Sequence, residues 1–387
     1  MFKRILDIDE IIRFKSIFLL GPRQTGKTTL LKSSLNEALV LDLLSPPLFR
    51  RLSAYPESLE TLIDQSRTCV VIDEIQKLPV LLDLVHSILE SRPNLRFILT
   101  GSSARKLRSG GVNLLGGRAH LHNLFPITTQ ELSLSGIQSW EILLARGGIP
   151  SIIQSPTAAE DLDAYIGLYL QEEIQSEALV RSLPDFSRFL TIAGSLNGQQ
   201  VNFEKLASDV GVSAKIVRSY LKILEDTLIA DLVLPLDISK KRKAVSAPKF
   251  YFFDVGIANT LRGVSHVPRG SEAFGDALEH LVYLELKAQR SYRRLKHSLF
   301  FWRTQTKIEV DFVLQLRDVL VAIEVKGTEF PDSSDMKGLK AFAEDFPNAR
   351  RILVCNTALS AIRKDGIEIM TAHDFFSELW KGSIHPK

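Results

Sequence analysis

At 387 residues the chain is longer than one compact core, which predicts two or three domains. A composition of 45% hydrophobic and 24% charged residues is ordinary for a globular protein and excludes disordered and collagen-like classes. The formal net charge of +3 is close to neutral, so nucleic-acid binding would have to come from local basic patches.

Cysteine usage and hydropathy indicate the compartment. Cys69 and Cys355 are the two cysteines, and each lies inside an apolar, strand-like run, which argues against disulfides or a cysteine zinc site. The first residues do not form a signal peptide, and no run approaches the ~20 apolar residues of a membrane span. The sequence therefore predicts a cytoplasmic protein.

The first half of the chain alternates short apolar runs with amphipathic, helix-length stretches. Continuous apolar runs are typical of strands covered on both faces, and helical crossovers between them predict a parallel, doubly wound α/β sheet. The predicted strands are residues 16–21, 38–43, 68–74, 96–101 and 119–124.

The character of the chain changes after Pro126, where helical patterns follow one another. Residues 201–236 predict a helix, a turn through Gly211, a second helix and a wing-like hairpin with its tip at 239–248. Mixed strands and helices return from residue 249. The predicted domains are 1–135, 136–245 and 246–387.

The run "GPRQTGKTTLL" at 21–31 follows a strand and opens a helix, as a phosphate-binding loop does. Backbone amides would cradle phosphates, Lys27 would reach the β and γ oxygens, and the Thr28 hydroxyl would ligate Mg²⁺. The predicted nucleotide-binding residues are Gly21, Pro22, Arg23, Gln24, Thr25, Gly26, Lys27, Thr28 and Thr29.

Acids that close another strand should complete this site. In "CVVIDEIQKL", Asp73 would hold Mg²⁺ and Glu74 would polarise the attacking water. Thr100 or Ser102, at the end of the fourth strand, could sense the γ-phosphate, although turn chemistry explains them equally well. Arg118 could stabilise transition-state charge on the nucleotide of a neighbouring subunit in a homo-oligomer, or it could be an ordinary surface arginine.

Four segments together resemble a known family: "GPRQTGKTTLL", "VVIDEIQKL", "ILTGSS" and "GGRAHLHNLFPITTQEL", with "RGGIPSII" in support. They are similar to the AAA-type (AAA+) ATPases of bacteria and archaea that carry an uncharacterised C-terminal domain. The resemblance runs nearly the full length of the chain. It implies an AAA+ P-loop sheet, a helical lid, a winged-helix segment and the appended domain, with ATP and Mg²⁺ as cofactors.

The predicted helix-turn-helix carries exposed cations on its second helix. Lys215, Arg218 and Lys222 could approach phosphates or base edges of DNA, and Lys241 and Arg242 at the wing tip could contact phosphates. The alternative is that this segment packs or binds protein and that the basic run is a solvated surface.

Three acids interrupt apolar elements of the last domain. Glu279 borders the apolar stripe of a helix, Asp311 lies inside "IEVDFVL", and Glu324 precedes Lys326 in "AIEVKG". Residues two apart on a strand share a face, so Glu324 and Lys326 point the same way. Convergent carboxylates with a lysine favour a Mg²⁺ or Mn²⁺ site, with Asp311 and Glu324 as ligands.

This order of acid, D and E-x-K resembles the PD-(D/E)XK nuclease superfamily, to which Holliday-junction resolvases and restriction enzymes are similar. The resemblance implies a catalytic role for Glu279, Asp311, Glu324 and Lys326. The alternative is a degenerate domain that binds without cutting.

Three functions remain open at this point. The first is an ATP-hydrolysing protein that binds and processes DNA by its structure and carries a metal-dependent, nuclease-like C-terminal domain. The second is a nucleotide-dependent switch or signalling ATPase whose C-terminal domain is an inactive recognition module. The third is a sequence-specific regulator that uses the helix-turn-helix.

Overall fold

The computed structural model describes residues 1–35, 37–103, 114–170, 182–237, 247–363 and 365–385. The chain divides into a small unit, residues 4–125 with 226–229, and a large unit, residues 1–3, 126–225 and 230–387. Within the described residues, no helix combines the length and the apolar character that crossing a membrane requires.

The small unit is built on a five-stranded parallel sheet with the order β2-β3-β4-β1-β5. Its strands are β1 (Ser16–Leu20), β2 (Leu39–Asp42), β3 (Cys69–Asp73), β4 (Arg96–Gly101) and β5 (Ala119–Asn123). Its helices are α1 (Ile8–Ile12), α2 (Lys27–Ser34), α3 (Pro46–Ala54), α4 (Ser58–Leu62) and α5 (Leu81–Ser91), with 3₁₀ turns at Ile75–Lys77 and Leu114–Gly117.

The central strands of this sheet are buried on both faces. Phe18, Ile72 and Leu99 are 0–2% exposed and lie in one apolar cluster with residues of α5. Continuous apolar strands between helices are the pattern of a parallel sheet, so the predicted doubly wound sheet is confirmed. In such a sheet the carboxyl ends of the strands share one edge, where ligands bind.

The large unit begins with helices and a two-stranded antiparallel sheet. The helices are α6 (Thr129–Leu134), α7 (Ile142–Arg146), α8 (Pro150–Ile153), α9 (Ala158–Ala164), α10 (Leu183–Gly194), α11 (Phe203–Val210), α12 (Ala214–Asp226) and α13 (Val255–Leu261), with a π-helical stretch at Tyr165–Leu170. The strands are β6 (Ala230–Val233) and β7 (Lys249–Phe252).

Helices α11 and α12 form the helix-turn-helix. The Asn202 side chain caps α11 by accepting the Lys205 backbone N–H at 3.0 Å, and Gly211 ends it in the left-handed conformation, φ 79°. Tyr220 of α12 packs edge-on against Phe186 of α10, with ring centroids 5.0 Å apart. The predicted wing-tip residues Lys241 and Arg242 lie outside the described residues.

A six-stranded mixed sheet, in the order β12-β13-β11-β10-β9-β8, completes the large unit. Helix α14 packs on one face through Leu278 and Val282, and helix α15 covers the other through Phe342. The elements are α14 (Glu272–Tyr292), β8 (Ser298–Arg303), β9 (Glu309–Leu316), β10 (Val319–Lys326), α15 (Lys337–Asp345), β11 (Arg350–Cys355), β12 (Ala361–Ile362), β13 (Ile367–Thr371) and α16 (Ala372–Lys381).

The segment "RGGIPSII" joins α7 to α8 around a buried acid. The Asp254 carboxylate caps α13 by accepting the Ile257 N–H at 3.1 Å and also accepts the Gly148 N–H at 2.6 Å. A Cβ at Gly147, where φ is 73°, would lie 2.0 Å from Asp254 Oδ1. The two glycines of this segment are therefore packing requirements of the large unit.

Candidate functional site

The loop between β1 and α2 has the geometry of a phosphate cradle. Gly26 takes the left-handed conformation, φ 93°, immediately before the first turn of α2, and Thr25 Oγ1 closes the loop by donating to Pro22 O at 2.9 Å. A Cβ at Gly21 would lie 2.4 Å from Leu124 O, so only glycine fits where the strand enters the loop. Arg23 and Gln24 complete the loop, and Thr29 lies in the first turn of α2.

The Lys27 ammonium is held over this loop. The side chain is buried, and Nζ donates to Gly21 O at 2.7 Å and to Pro22 O at 3.1 Å. Arg4, which the sequence analysis did not identify, supports the loop from outside by donating to Thr25 O at 2.8 Å and to Phe125 O at 2.6 Å. The loop is therefore preorganised by cations that bind its carbonyls.

Asp73 brings three of the predicted residues together. Thr28 Oγ1 donates to Asp73 Oδ2 at 2.9 Å, and Thr100 Oγ1 donates to Asp73 Oδ1. Strand β4 lies between β1 and β3, so the ends of these strands place the loop, the acid and the threonine at one edge of the sheet. Both hydrogen-bond partners of this 5%-exposed carboxylate are neutral hydroxyls, so its negative charge stays available for a cation.

Glu74 is positioned by its backbone and by a glutamine. Its φ of 61° and ψ of 46° are left-handed, a conformation that is costly outside glycine and clusters at functional sites. Its N–H donates to Thr100 Oγ1 at 3.1 Å. Gln76 Nε2 donates to Glu74 Oε2 and, at 3.0 Å, to Ser102 Oγ, so this buried side chain connects the acid to the second candidate sensor.

The sequence analysis missed Gln76, although the residue lies in the quoted run "IDEIQKL". Gly101 makes room for it, since a Cβ there would lie 2.5 Å from Gln76 Oε1. A polar residue two positions after the acid, on a turn that is otherwise apolar, was the signal that could have identified it.

Arg118 lies apart from these groups. It precedes β5, so it is at the amino-terminal edge of the parallel strands, whereas the phosphate loop is at their carboxyl edge. Its side chain, 42% exposed, pairs with Glu90 Oε1 of α5 at 3.0 Å. Within one chain Arg118 is therefore not brought to the acid pair.

In the large unit, the acids predicted from the sequence do converge, but on a lysine. Lys249 Nζ of β7 lies 3.2 Å from Glu279 Oε1 and 3.3 Å from Asp311 Oδ1, and it also pairs with Glu309. The lysine is 2% exposed. We call Lys249, Glu279, Glu309, Asp311, Glu324 and Lys326 the acidic cluster.

The remaining members of the acidic cluster are paired with one another. Lys326 Nζ donates to Glu324 Oε1 at 2.6 Å, and the Val325 N–H donates to Asp311 Oδ2 at 2.9 Å. Glu324 Oε2 accepts no hydrogen bond from any residue that the structure describes. The predicted shared face of Glu324 and Lys326 is therefore occupied by an ion pair between them.

Burial and charge act in opposite directions on the pKa values of the cluster. Burial lowers the pKa of Lys249, but the surrounding charges of Glu279 and Asp311 outweigh it and raise that pKa well above its usual range. Burial, and then the charge of Asp311, raises the pKa of Glu279 to about 7. For Glu324 the same two causes raise the pKa well above the usual value.

Whether the cluster suits a divalent metal depends on its oxygen atoms. Three of its carboxylates already surround the Lys249 ammonium, and the described residues contain no group of three or more histidine, cysteine or acidic side chains arranged to hold a metal. The donor types, all carboxylate, suit Mg²⁺ or Mn²⁺, but their common centre is filled by the lysine. The donors therefore do not fit the metal while Lys249 is in place.

The signal that could have identified Lys249 and Glu309 was present in the sequence. Lys249 precedes the aromatic run "FYFF", and a lysine in a buried strand raises the same question as an acid there. Glu309 is two residues before Asp311 and also binds Arg303 Nη1, at 2.9 Å.

The predicted DNA-contacting residues of α12 are exposed. Lys215, Arg218 and Lys222 lie on the side of the helix opposite its buried residues. The Arg218 guanidinium covers the Phe203 ring at 3.9 Å, and Lys222 Nζ lies 3.9 Å from Glu225 Oε2. A phosphate backbone could therefore approach all three side chains.

Comparison with known families divides the chain into three segments. Residues 13–133 match a family described as an AAA domain. Residues 137–267 and 274–375 match two families described as domains of unknown function (DUF8612 and DUF4143). Together with the parallel sheet and the loop geometry, the first match supports an AAA-type P-loop ATPase that binds and hydrolyses ATP.

Individual relatives are more distant. "Uncharacterized protein Rv2008c" of Mycobacterium tuberculosis and "Uncharacterized protein Mb2031c" of Mycobacterium bovis are each 26% identical over 347 residues, covering 87% of this chain and 76% of theirs. A structure titled replication initiator DnaA bound to AMPPCP and single-stranded DNA has 14% identity and a TM-score of 0.30, covering 55% of this chain and 82% of its own. The structure of C. elegans PCH-2 has 17% identity and a TM-score of 0.25, covering 57% and 63%.

Proposed function

We propose that ATP hydrolysis is carried out by the groups at the carboxyl edge of the small unit's sheet. Thr28 and Asp73 would hold Mg²⁺, which when bound neutralises charge on the phosphates. Lys27 leaves the loop carbonyls to bind phosphate oxygens. Glu74 accepts a hydrogen bond from the attacking water and orients it, while Thr100 holds both acids in register.

The observation that carries this proposal is the hydrogen bond of Thr28 Oγ1 to Asp73 Oδ2 at 2.9 Å. It joins a hydroxyl from the phosphate loop to a carboxylate from another strand, the pair of oxygen ligands that nucleotide-bound Mg²⁺ takes in P-loop enzymes. The Asp73 charge is met there only by hydroxyl donors, which leaves it attractive to a cation.

The direct test replaces Asp73 by asparagine and measures phosphate release from ATP in Mg²⁺. Turnover is expected to be lost, because the amide cannot provide the negative ligand. Asp83→Asn, an exposed substitution on α5 of the same unit, is the matched control and should leave turnover unchanged. Full turnover in Asp73→Asn would contradict the proposed ligand.

For Arg118 we propose a role in trans. Its side chain is at the edge away from its own phosphate loop, so it could act only on the nucleotide of another copy in a homo-oligomer. Turnover per chain should then rise with protein concentration in the wild-type protein, and Arg118→Ala should abolish that rise. Glu90→Ala, which removes its surface partner, is the control.

We further propose that α11, α12 and the β6–β7 hairpin form a winged helix that contacts DNA. Exposed Lys215, Arg218 and Lys222 support the proposal, and the end of α14 adds a second exposed basic group at residues 290–296. Binding of fluorescent duplex, forked and junction DNA, titrated with salt, tests it. A preference for DNA structure would favour DNA processing, whereas preference for one sequence would favour a transcription regulator.

For the last domain we propose a PD-(D/E)XK-like module that recognises DNA, under the control of the ATPase as a nucleotide-dependent switch. The placement of Glu279, Asp311, Glu324 and Lys326 supports the nuclease-like arrangement, and the ion pairs of Lys249 favour recognition over cleavage. Metal-dependent cleavage is the competing proposal.

The test of cleavage uses linear, forked and four-way-junction DNA in Mg²⁺ or Mn²⁺, with Asp311→Asn for comparison. Cutting that this substitution abolishes would favour the processing enzyme. Absence of cutting by a protein that still hydrolyses ATP and binds DNA would support the switch.

A further inference from the structure

We propose that the Lys249 ammonium serves as the permanent cation of the acidic cluster, in the place that a divalent metal would take. The cluster then binds no metal in the intact protein, and removal of the lysine charge creates a metal site. This inference goes beyond the proposed function, since it concerns one side chain and holds whether or not ATP or DNA is bound.

The first step is the position of the ammonium. Lys249 Nζ lies within 3.3 Å of oxygens from both Glu279 and Asp311 and also pairs with Glu309, so one cation bridges carboxylates from α14 and two positions on β9. A metal bound by the same oxygens would have to occupy the volume of the ammonium. At 2% exposure the lysine has no solvent-filled alternative next to it.

The second step is the charge of the cluster. Four carboxylates face the ammonium groups of Lys249 and Lys326 and the guanidinium of Arg303, which binds Glu309. Four negative charges against three positive charges leave an excess of one. Burial and the charge of Asp311 raise the pKa values of Glu279 and Glu324, so a proton on one of them brings the cluster near neutrality. A divalent ion added to this set would leave unpaired buried positive charge, which is costly.

The third step is how the chain supplies the lysine. Lys249 and Tyr251 belong to the segment matching the first domain of unknown function, whereas the acids belong to the segment matching the second. Strand β7 anchors both residues: Tyr251 Oη donates to Glu279 Oε1 at 2.6 Å beside the lysine. The cation of the cluster is therefore provided by the preceding segment of the chain.

The experiment measures Mn²⁺ binding by electron paramagnetic resonance and thermal unfolding, without nucleotide and in an Asp73→Asn background that removes the proposed phosphate-loop ligand. With Lys249 present, no Mn²⁺ should be bound at the cluster. Lys249→Met should lower the unfolding midpoint in EDTA by about 10 °C, because it leaves buried carboxylates uncompensated. Mn²⁺ should restore the midpoint and bind at about one equivalent.

Two controls separate the proposal from general damage. Lys326→Met removes a 36%-exposed ammonium that pairs with Glu324 alone, and it should create no Mn²⁺ response. Lys249→Met combined with Glu279→Gln removes one charge of each sign. This double variant should recover part of the decrease in midpoint without metal, which keeps the test decisive if the single variant does not fold.

Two outcomes would overturn the proposal. The first is Mn²⁺ binding by the protein with Lys249 intact that Asp311→Asn abolishes, since the cluster would then take a metal beside the lysine. The second is a folded Lys249→Met protein with an unchanged midpoint and no Mn²⁺ binding, since the ammonium would then not be the counter-charge. Neither outcome depends on ATP turnover, so failure here is distinct from failure of the proposed ATPase.

Discussion

The two places where this chain buries carboxylates at strand ends solve the same problem differently. Asp73 of the small unit accepts hydrogen bonds from two neutral hydroxyls, Thr28 and Thr100. The acids of the large unit are instead neutralised by built-in cations, above all Lys249. The first arrangement keeps a net negative charge that a cation from solution can meet, and the second does not.

This contrast shows that acids in an apolar strand do not by themselves indicate a metal site. What distinguishes the two sites is the charge of the donors that satisfy the acids. Neutral donors orient a carboxylate and leave its charge intact, whereas an ammonium at about 3 Å cancels it. Each prediction below changes one side of this comparison.

The largest expected effect is on the small unit's phosphate loop. Lys27→Ala should lower the rate of ATP hydrolysis about 100- to 1,000-fold, the range for removal of a preorganised cationic or hydrogen-bonding group from developing charge. Phosphate release at saturating ATP measures it. Lys32→Ala, an exposed lysine of the same helix, should retain full turnover, and equal loss in both variants would show that the helix rather than the ammonium was damaged.

Glu74→Gln comes next. The amide cannot take up a proton from water, so turnover should fall about 100-fold while ATP binding is retained. Single-turnover hydrolysis and fluorescent-nucleotide binding separate the two effects. Glu60→Gln, an exposed change on α4, is the control. Wild-type hydrolysis by Glu74→Gln would assign the water to another residue.

A smaller effect concerns pH and a buried acid of the large unit. Burial raises the pKa of Glu285 to about 7, against the hydrogen bonds from Thr129 and Trp380 that lower it. Its ordinary value is 4.5, so the folded chain holds this proton more tightly than the unfolded chain, and stability should fall as pH rises from 4.5 to 7. The slope contributed is at most about 1.4 kcal/mol per pH unit.

Urea unfolding between pH 5 and pH 8 measures this slope. In Glu285→Gln the slope should be flatter, whatever the absolute stability, because the amide does not titrate. Glu344→Gln, on helix α15 of the same unit, should keep the wild-type slope. An identical slope in Glu285→Gln and wild type would show that the acid stays ionised when buried.

The smallest effect is expected on DNA binding. Lys215→Ala with Lys222→Ala should weaken binding a few-fold, and the slope of log affinity against log salt should decrease by roughly 1 for each phosphate that the variant no longer neutralises. Fluorescence anisotropy over a salt series measures both quantities. Lys205→Ala on α11 is the matched exposed control. An unchanged salt slope in the double variant would show that DNA does not bind at these two lysines.

The sequence predicted the small unit's sheet well because periodicity and loop chemistry are local. All five predicted strands coincide with β1–β5, and Thr28, Asp73 and Thr100 meet at their carboxyl edge. The acids of the large unit were also predicted to converge, and they do.

What the sequence did not predict is the group at the centre of those acids. Lys249 is 62 positions from Asp311, and nothing in the spacing of either residue indicates the pair. Gln76 was missed for a different reason: it is only two positions from Glu74, but its hydrogen bonds depend on a turn whose backbone is left-handed at the acid. Partners of buried polar groups follow from three-dimensional placement rather than from periodicity.

The division of the chain into units has a consequence for its synthesis. The small unit comprises residues 4–125 together with 226–229, and Leu228 packs against its apolar cluster. A ribosome adding roughly 5–20 residues per second would deliver that last segment about 5–20 s after Phe125. The nascent sheet must therefore wait with part of its apolar surface uncovered, and we expect it to engage chaperones during that interval.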